Sequence, residues 1–259
     1  MILLVLLLGL ASTVLGIAFW TFWFRVYQLH QRIVAWAVRY LANNSMDCRI
    51  GREKAMVFGR IPTEGLPSNG KGLRVLELGP RIGYNLKYYP NRTRLTVVEQ
   101  NPFYRETFMK ALAKEADRGI TLERYILVAK DGGLEKIDTA SMDVVVSSHA
   151  LCCVEDPAKT LQEIKRVLVP ERGRFFFFEQ TEDRPGTFRN FVQNLMTQFK
   201  VWEWFTGCHL NRRTNEYLAR ARFRKLEFEK FYVRLPASYP WEEVLRKLTL
   251  SHVRGIAHV

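Results

Sequence analysis

The sequence predicts an α/β protein built on a doubly wound, mostly parallel sheet, with a hydrophobic helix at its N-terminus. Three observations predict it. Apolar runs of strand length alternate with helical patterns from Leu73 onward, the pattern of successive βαβ units. Two of those runs, VVVSS (144–148) and FFFF (175–178), are nearly continuous, as expected of strands covered on both faces. The first 24 residues carry no charged side chain.

With 259 residues, 47% hydrophobic and 25% charged, the chain can bury one sizeable core, which excludes a disordered chain and favours one domain plus an appendage. The 39 Lys and Arg against 26 Asp and Glu leave a formal charge of +13, which suits an anionic neighbour, either nucleic acid or an acidic lipid surface.

Residues 1–24 (MILLVLLLGLASTVLGIAFWTFWF) are long enough to cross a bilayer as a helix and are read as a membrane anchor. A cleaved signal peptide would need a basic start and a small-residue cleavage site, whereas this run closes on bulky aromatics suited to the headgroup boundary. Arg25, His30, Arg32 and Arg39 follow it and place the remainder on the cytosolic side. A single span and a segment dipping into one leaflet both fit.

Residues 25–70 form the second unit. Val26, Leu29, Ile33, Ala37 and Leu41 share a helical stripe, which suits either a helix lying on a membrane or one packed on the following domain. Ile61–Gly72 (IPTEGLPSNGKG) reads as a linker or an ordered entry to the next domain. The third unit, 71–259, carries the sheet. Four cysteines without framework spacing agree with a reducing compartment, and no spacing suggests a metal site. The sequons at Asn43 and Asn91 would be unused in the cytosol.

Expected strands are Leu73–Leu78, Arg94–Glu99, Val144–Ser148 and Arg174–Glu179, with helices at Tyr104–Ala116 and Ala158–Leu168. Ligands of such sheets sit beyond the carboxyl ends of the strands. The first loop there is LELGPRIGYN (76–85): Gly79 and Gly83 permit a tight turn, and a following helix would aim its N-terminal amides at a ligand. Glu99 ends the second strand about twenty residues beyond Gly79, the spacing at which a carboxylate accepts from ribose hydroxyls.

The stretches LELG…GYNLKYYP, VVEQNPF, SMDVVV…LCCVEDP and LQEIKRVLVPERGRFFFFEQ resemble class I S-adenosylmethionine-dependent methyltransferases. With the N-terminal run and the GCHLNRRT and SHVRGIAHV segments, the likeness is to membrane-anchored thiol S-methyltransferases. It implies a seven-stranded Rossmann-like sheet and S-adenosylmethionine bound by Glu77, Gly79, Arg81, Gly83, Glu99, Asp131 and Ser147. It also implies association with endoplasmic reticulum or lipid-droplet membranes, with membrane lipids and a small apolar thiol as partners.

Relatives in that class read GCGTG where this chain reads GPRIG, and usually carry Asp in place of Glu99. Pro80 removes an amide donor. Arg81 either pairs with the carboxylate of the cofactor's methionine portion or fills the pocket. Asp131 in KDGG is a displaced counterpart of the acidic residues that relatives carry near the adenine.

After the fourth expected strand, SSHALCCVEDP supplies His149 as the candidate base for a thiol acceptor, alongside the alternative of a histidine that only satisfies a backbone bond. Cys152 and Cys153 read as packing residues. Residues 188–205 align Phe188, Phe191, Leu195, Phe199 and Trp202 as one helical stripe, either core or an apolar wall for a lipophilic acceptor, with Cys208 and His209 near its entrance. The basic string RARFRK (220–225) reads as a solvated helix face or lipid contact, and no nucleic-acid partner is expected. Methyl transfer to a small apolar thiol is the leading reading. A catalytically silent membrane or lipid-droplet surface protein and an RNA methyltransferase are the rivals.

Overall fold

A computed structural model of the chain describes residues 2–41, 47–61, 72–128, 133–233 and 251–259, with only the backbone for residues 2–8, 11, 37, 38, 40, 41, 47–49 and 205. Asp131, the linker at 62–71 and the sequon at Asn43 lie outside them. In chain order the elements are α1 (Ile2–Leu41), α2 (Asp47–Phe58), β1 (Arg74–Leu78), β2 (Arg94–Glu99), α3 (Arg105–Ala113), β3 (Thr121–Leu127) and β4 (Val144–Ser148). They continue with α4 (Pro157–Val167), β5 (Arg174–Gln180), α5 (Phe188–Gln198), α6 (Val201–Thr206), α7 (Thr214–Arg220), β6 (Lys225–Tyr232) and β7 (Ser251–His258).

Among the described residues seven strands form one sheet in the order β3-β2-β1-β4-β5-β7-β6. Strands β1 to β5 pair in parallel, and β7 pairs antiparallel with both β5 and β6, so six strands run one way and β7 the other. Alternation along the strands splits the core between two faces. Leu76, Val145, Phe175 and Phe177 face α4 through Leu161 and Ile164. Val75, Val146, Phe176 and Phe178 face α2 and α3 through Phe58 and Phe108. The chain order reverses between β1 and β4, so the crevice at their carboxyl ends is where a doubly wound sheet takes its ligand.

Local chemistry starts the helix that frames this crevice. Asp156 accepts from the amides of Ala158 and Lys159, and Pro157 occupies the first turn of α4, where its missing N–H costs nothing.

Four sequence expectations change. The expected anchor and the amphipathic segment after it are one uninterrupted helix, α1. Among the described residues no helix is long and apolar enough to cross a membrane, and the side chains of 2–8 lie outside that description. The stripe at 188–205 is two helices, because Lys200 takes a left-handed conformation (φ 54°) that a helix cannot continue through. Its polarity is also reversed. Asn190 and Gln193 are the buried residues of α5, held by Glu182 and Asp183, while Phe188 is 80% and Phe199 68% exposed. RARFRK is the turn from α7 into β6, with Arg222 left-handed, rather than a helix face.

Candidate active site

A cavity of about 470 Å³ opens at the carboxyl ends of β1, β2 and β4, within the range of small-molecule sites. Strand-end loops form one wall: Gly79 and Arg81 after β1, Glu99 and Asn101 at the end of β2, His149 and Ala150 after β4. Helices form the other, with Trp23, Tyr27 and Gln31 from α1 and Trp204 and Thr206 from α6.

Glu99 is buried, and its carboxylate organises the first wall. Oε1 accepts from the amides of Gln100 (2.8 Å) and Asn101 (2.9 Å), and Oε2 from the amide of Arg81 (2.9 Å). Burial raises its pKa, and these amide bonds oppose the rise. Three amides occupy three of roughly four acceptor positions, which leaves Oε2 capacity for one more donor.

The β1 loop achieves its turn in an unexpected way. Gly79 (φ 62°) donates to Val98 O at 2.9 Å, and a side chain there would press on Ala150. Gly83 (φ 87°) faces inward: an added Cβ would meet Leu86 and Ala111 at 2.9 and 3.0 Å, so this glycine serves packing on α3 rather than approach to a ligand. A three-residue 3-10 turn, Leu86–Tyr88, replaces the expected helix, because Tyr89 is extended ahead of Pro90. No helix N-terminus therefore aims at the cavity from this loop.

Arg81 is itself left-handed (φ 50°), and its guanidinium crosses to the β4 side. There Nη2 donates to His149 O at 3.3 Å and lies 3.9 Å from Cys208 Sγ. The charge shares the cavity lining with Tyr27 and Trp204.

The β4 turn is pinned from beneath by Glu179 of β5, fully buried, which accepts from the Ser147 hydroxyl and from the amides of Ala150 (3.0 Å) and Leu151 (3.1 Å). Burial pushes its pKa up to about 7, against those same bonds. His149 is left-handed, and its Nε2 sits 3.0 Å from Nε2 of His252 on β7. One ring must donate and the other accept. Burial first, then the neighbouring His252, holds the His149 pKa well below its ordinary value, so the ring is neutral at pH 7.

The helical wall is tied down by long-range contacts. Asn101 Nδ2 donates to Gln31 O at 3.1 Å, Arg39 to Thr107 Oγ1 at 3.3 Å, and His30 bonds the carbonyl of Trp204. Arg32 stacks over Phe103 with 5.1 Å to the ring centroid.

At the base of this wall the chain joins Cys153 to Cys208 through a disulfide, which departs from the readings of Cys153 as a packing residue and of the cysteines as those of a reducing compartment. The partners are 55 residues apart in sequence and meet because the β4 turn faces the end of α6. The sulfurs of Cys152, Cys153 and Cys208 all lie within 4.8 Å of one another, a cluster the sequence spacing gave no sign of. Cys152 remains a buried thiol, its pKa pushed up to about 12 by burial and then by Glu179.

Of the residues singled out from the sequence, Gly79, Arg81, Glu99 and His149 line the cavity together. Glu77, Gly83 and Ser147 do not. Glu77 is fully buried and accepts from Asn85 Nδ2 at 2.7 Å, which braces the loop from behind, and burial raises its pKa to about 7. Ser147 bonds Glu179 instead. Sequence reasoning missed Glu179, whose only signal was a charge closing FFFFE, and the α1 side of the wall, which left no local signal; the α6 side falls largely within the 188–205 segment that the sequence offered as a possible acceptor wall.

The profile described as a methyltransferase domain matches residues 76–177. Thiol S-methyltransferase TMT1A of Homo sapiens is 31% identical over 210 residues, covering 81% of this chain and 79% of that protein. Thiol S-methyltransferase TMT1B of Rattus norvegicus is 33% identical over 178 residues, covering 68% and 70% respectively. Geranyl diphosphate methyltransferase in complex with SAM shares the fold, with a TM-score of 0.56 at 13% identity over 80% of this chain and 84% of that one.

Sheet order, cavity position and these matches define a class I S-adenosylmethionine-dependent methyltransferase. Within that class the chain belongs to the family that includes TMT1A and TMT1B. The cavity fits the cofactor: Glu99 keeps an open acceptor position where a ribose would need one, and Arg81 supplies a cation for a carboxylate.

Proposed function

We propose that this enzyme methylates small apolar thiols, working on the cytosolic face of a membrane. The observation that carries the reading is the apolar helical wall, with Trp23, Val26, Tyr27 and Trp204 facing the polar strand-end wall across one cavity. The named activity of TMT1A and TMT1B supports it.

S-adenosylmethionine supplies an electrophilic methyl group on a sulfonium sulfur. Glu99 and Asn101 would hold its nucleoside portion and Arg81 its carboxylate. The chain's further work is to orient the acceptor, exclude water and favour the thiolate. The helical wall does the first two. The Arg81 charge lowers the cost of a thiolate in the cavity. His149 is a poor base for that proton: its Nε2 is engaged by His252 and its basicity is lowered.

The membrane location rests on exposed apolar surface. From Leu10 to Phe24 α1 presents Leu15, Phe19, Trp20 and Phe22 to the outside, and α5 adds Phe188 and Phe191. Such faces suit a helix lying in the headgroup region. Incubating the full chain with S-adenosylmethionine and benzyl mercaptan should yield the methyl thioether by mass spectrometry. Cofactor binding without thioether would reject the thiol assignment. Flotation with vesicles should carry the protein to the lipid fraction, and protein left at the bottom of the gradient would reject the location.

A further inference from the structure

We infer that the Cys153–Cys208 disulfide is a thiol-exchange site in the acceptor cavity, where a small apolar thiol forms a mixed disulfide with Cys153. The inference rests on the reading that such thiols enter this cavity. Cys153 lines the cavity whereas Cys208 is buried, so an incoming thiolate meets the Cys153 sulfur first. Cys208 is then the leaving group, and the Arg81 guanidinium 3.9 Å from its Sγ stabilises the departing thiolate.

The step balances without any further oxidant. The acceptor thiolate bonds to Cys153 Sγ, the Cys153–Cys208 bond breaks, and its electron pair leaves on Cys208. A second acceptor thiolate attacks the mixed disulfide at the acceptor's sulfur and frees Cys153 as thiolate. Two acceptor thiols are thereby oxidised to their disulfide, the protein disulfide is reduced, and the two acceptor protons end on the two cysteines.

Cys152 does not compete as the attacking group. Its Sγ is 3.7 Å from that of Cys153, yet burial and Glu179 keep it protonated. Cleavage has a structural consequence, because the disulfide joins the β4 turn to the end of α6, which carries Trp204 and Thr206 into the cavity. Reduction by the acceptor would untie that side of the wall.

The test uses the full chain, purified without reductant and without S-adenosylmethionine. Alkylation after denaturation, followed by peptide mapping, should show Cys152 modified and Cys153 linked to Cys208. Benzyl mercaptan should then place its adduct on Cys153 and expose Cys208 to alkylation. Glutathione, charged and hydrophilic, should react about ten-fold more slowly. Cys152→Ser should leave the Cys153 adduct in place, and Arg81→Gln should slow its formation by about ten-fold. If the Cys208→Ser protein folds, dibenzyl disulfide should label its Cys153.

An adduct first on Cys208 or Cys152, equal rates for glutathione and benzyl mercaptan, or a link that survives turnover would overturn the inference. The two readings fail separately. Adduct without thioether defeats thiol methylation and leaves the exchange site standing, while thioether with an intact link does the reverse.

Discussion

The two walls of the cavity are made on different principles. In the strand-end wall, buried polar groups find partners within the wall: Glu99 takes three amides, and Glu179 takes two amides and a hydroxyl. Removing either carboxylate strands donors away from water, which makes this wall costly to alter. The helical wall is mostly apolar, its Trp23, Tyr27 and Trp204 are exposed, and a few long-range bonds hold it. Rigidity on one side suits a cofactor of fixed shape. Looser packing on the other suits acceptors that vary.

The largest effect should come from the strand-end wall at Glu99. Glu99→Ala removes the acceptor left for the cofactor and strands the amides of Arg81, Gln100 and Asn101. We expect cofactor affinity to fall about 100-fold or more by calorimetry, together with a stability loss of about 2–3 kcal/mol in denaturant melts. Unchanged affinity in a folded Glu99→Ala protein would remove the central premise of this wall.

Glu179 gives the same wall a pH signature. Its folded pKa of about 7 lies above its ordinary 4.5, so between those values the folded protein keeps a proton that the unfolded chain releases. Stability contributed here is therefore complete below pH 4.5 and is lost as the pH rises through 7. Glu77 has the same sign and a similar value. Glu179→Gln should remove about half of the fall in stability that the two carboxyls share between pH 4.5 and 7, read from urea midpoints across that range. A variant whose pH slope matched the natural chain would show that Glu179 is ionised throughout.

Arg81 lines the cavity, and the two roles its sequence position left open differ in their consequence for the cofactor. The guanidinium reaches the β4 side, and its own charge is what a cofactor carboxylate requires. Arg81→Ala should weaken S-adenosylmethionine binding by about ten-fold, the loss of one charge-assisted pair. Tighter binding instead would mean that the side chain fills the space the cofactor needs.

The contrast also explains what could be read from the sequence. The strands, Glu99 and Gly79 were legible because βαβ periodicity and the spacing to a strand-end carboxylate are local signals. Gly83 was misassigned because a glycine permits a tight turn whether a ligand or Leu86 lies beyond it. The α1 contacts and the disulfide were invisible, since His30 meets Trp204 at a sequence separation of 174 and Cys153 meets Cys208 at 55. For α5 the apolar stripe was seen and its direction mistaken, because periodicity reports that a helix has two faces and not which of them turns inward.

That reversed helix gives the smallest effect and the sharpest control on the difference between the walls. Phe191 is exposed on α5, while Gln193 on the other side accepts the amide of Asp183 at 2.9 Å. Phe191→Ser removes no buried contact, so stability should change by no more than about 0.5 kcal/mol and cofactor affinity should not move. Vesicle binding should nevertheless weaken, because the lost ring is apolar surface offered outward. Gln193→Ala should behave in the opposite way, costing about 1–3 kcal/mol by leaving the Asp183 amide unpaired while lipid binding stays as it was. If Phe191→Ser were the destabilising change, α5 would have to lie with its apolar stripe inward, and the outward-facing surface on this side of the cavity would disappear.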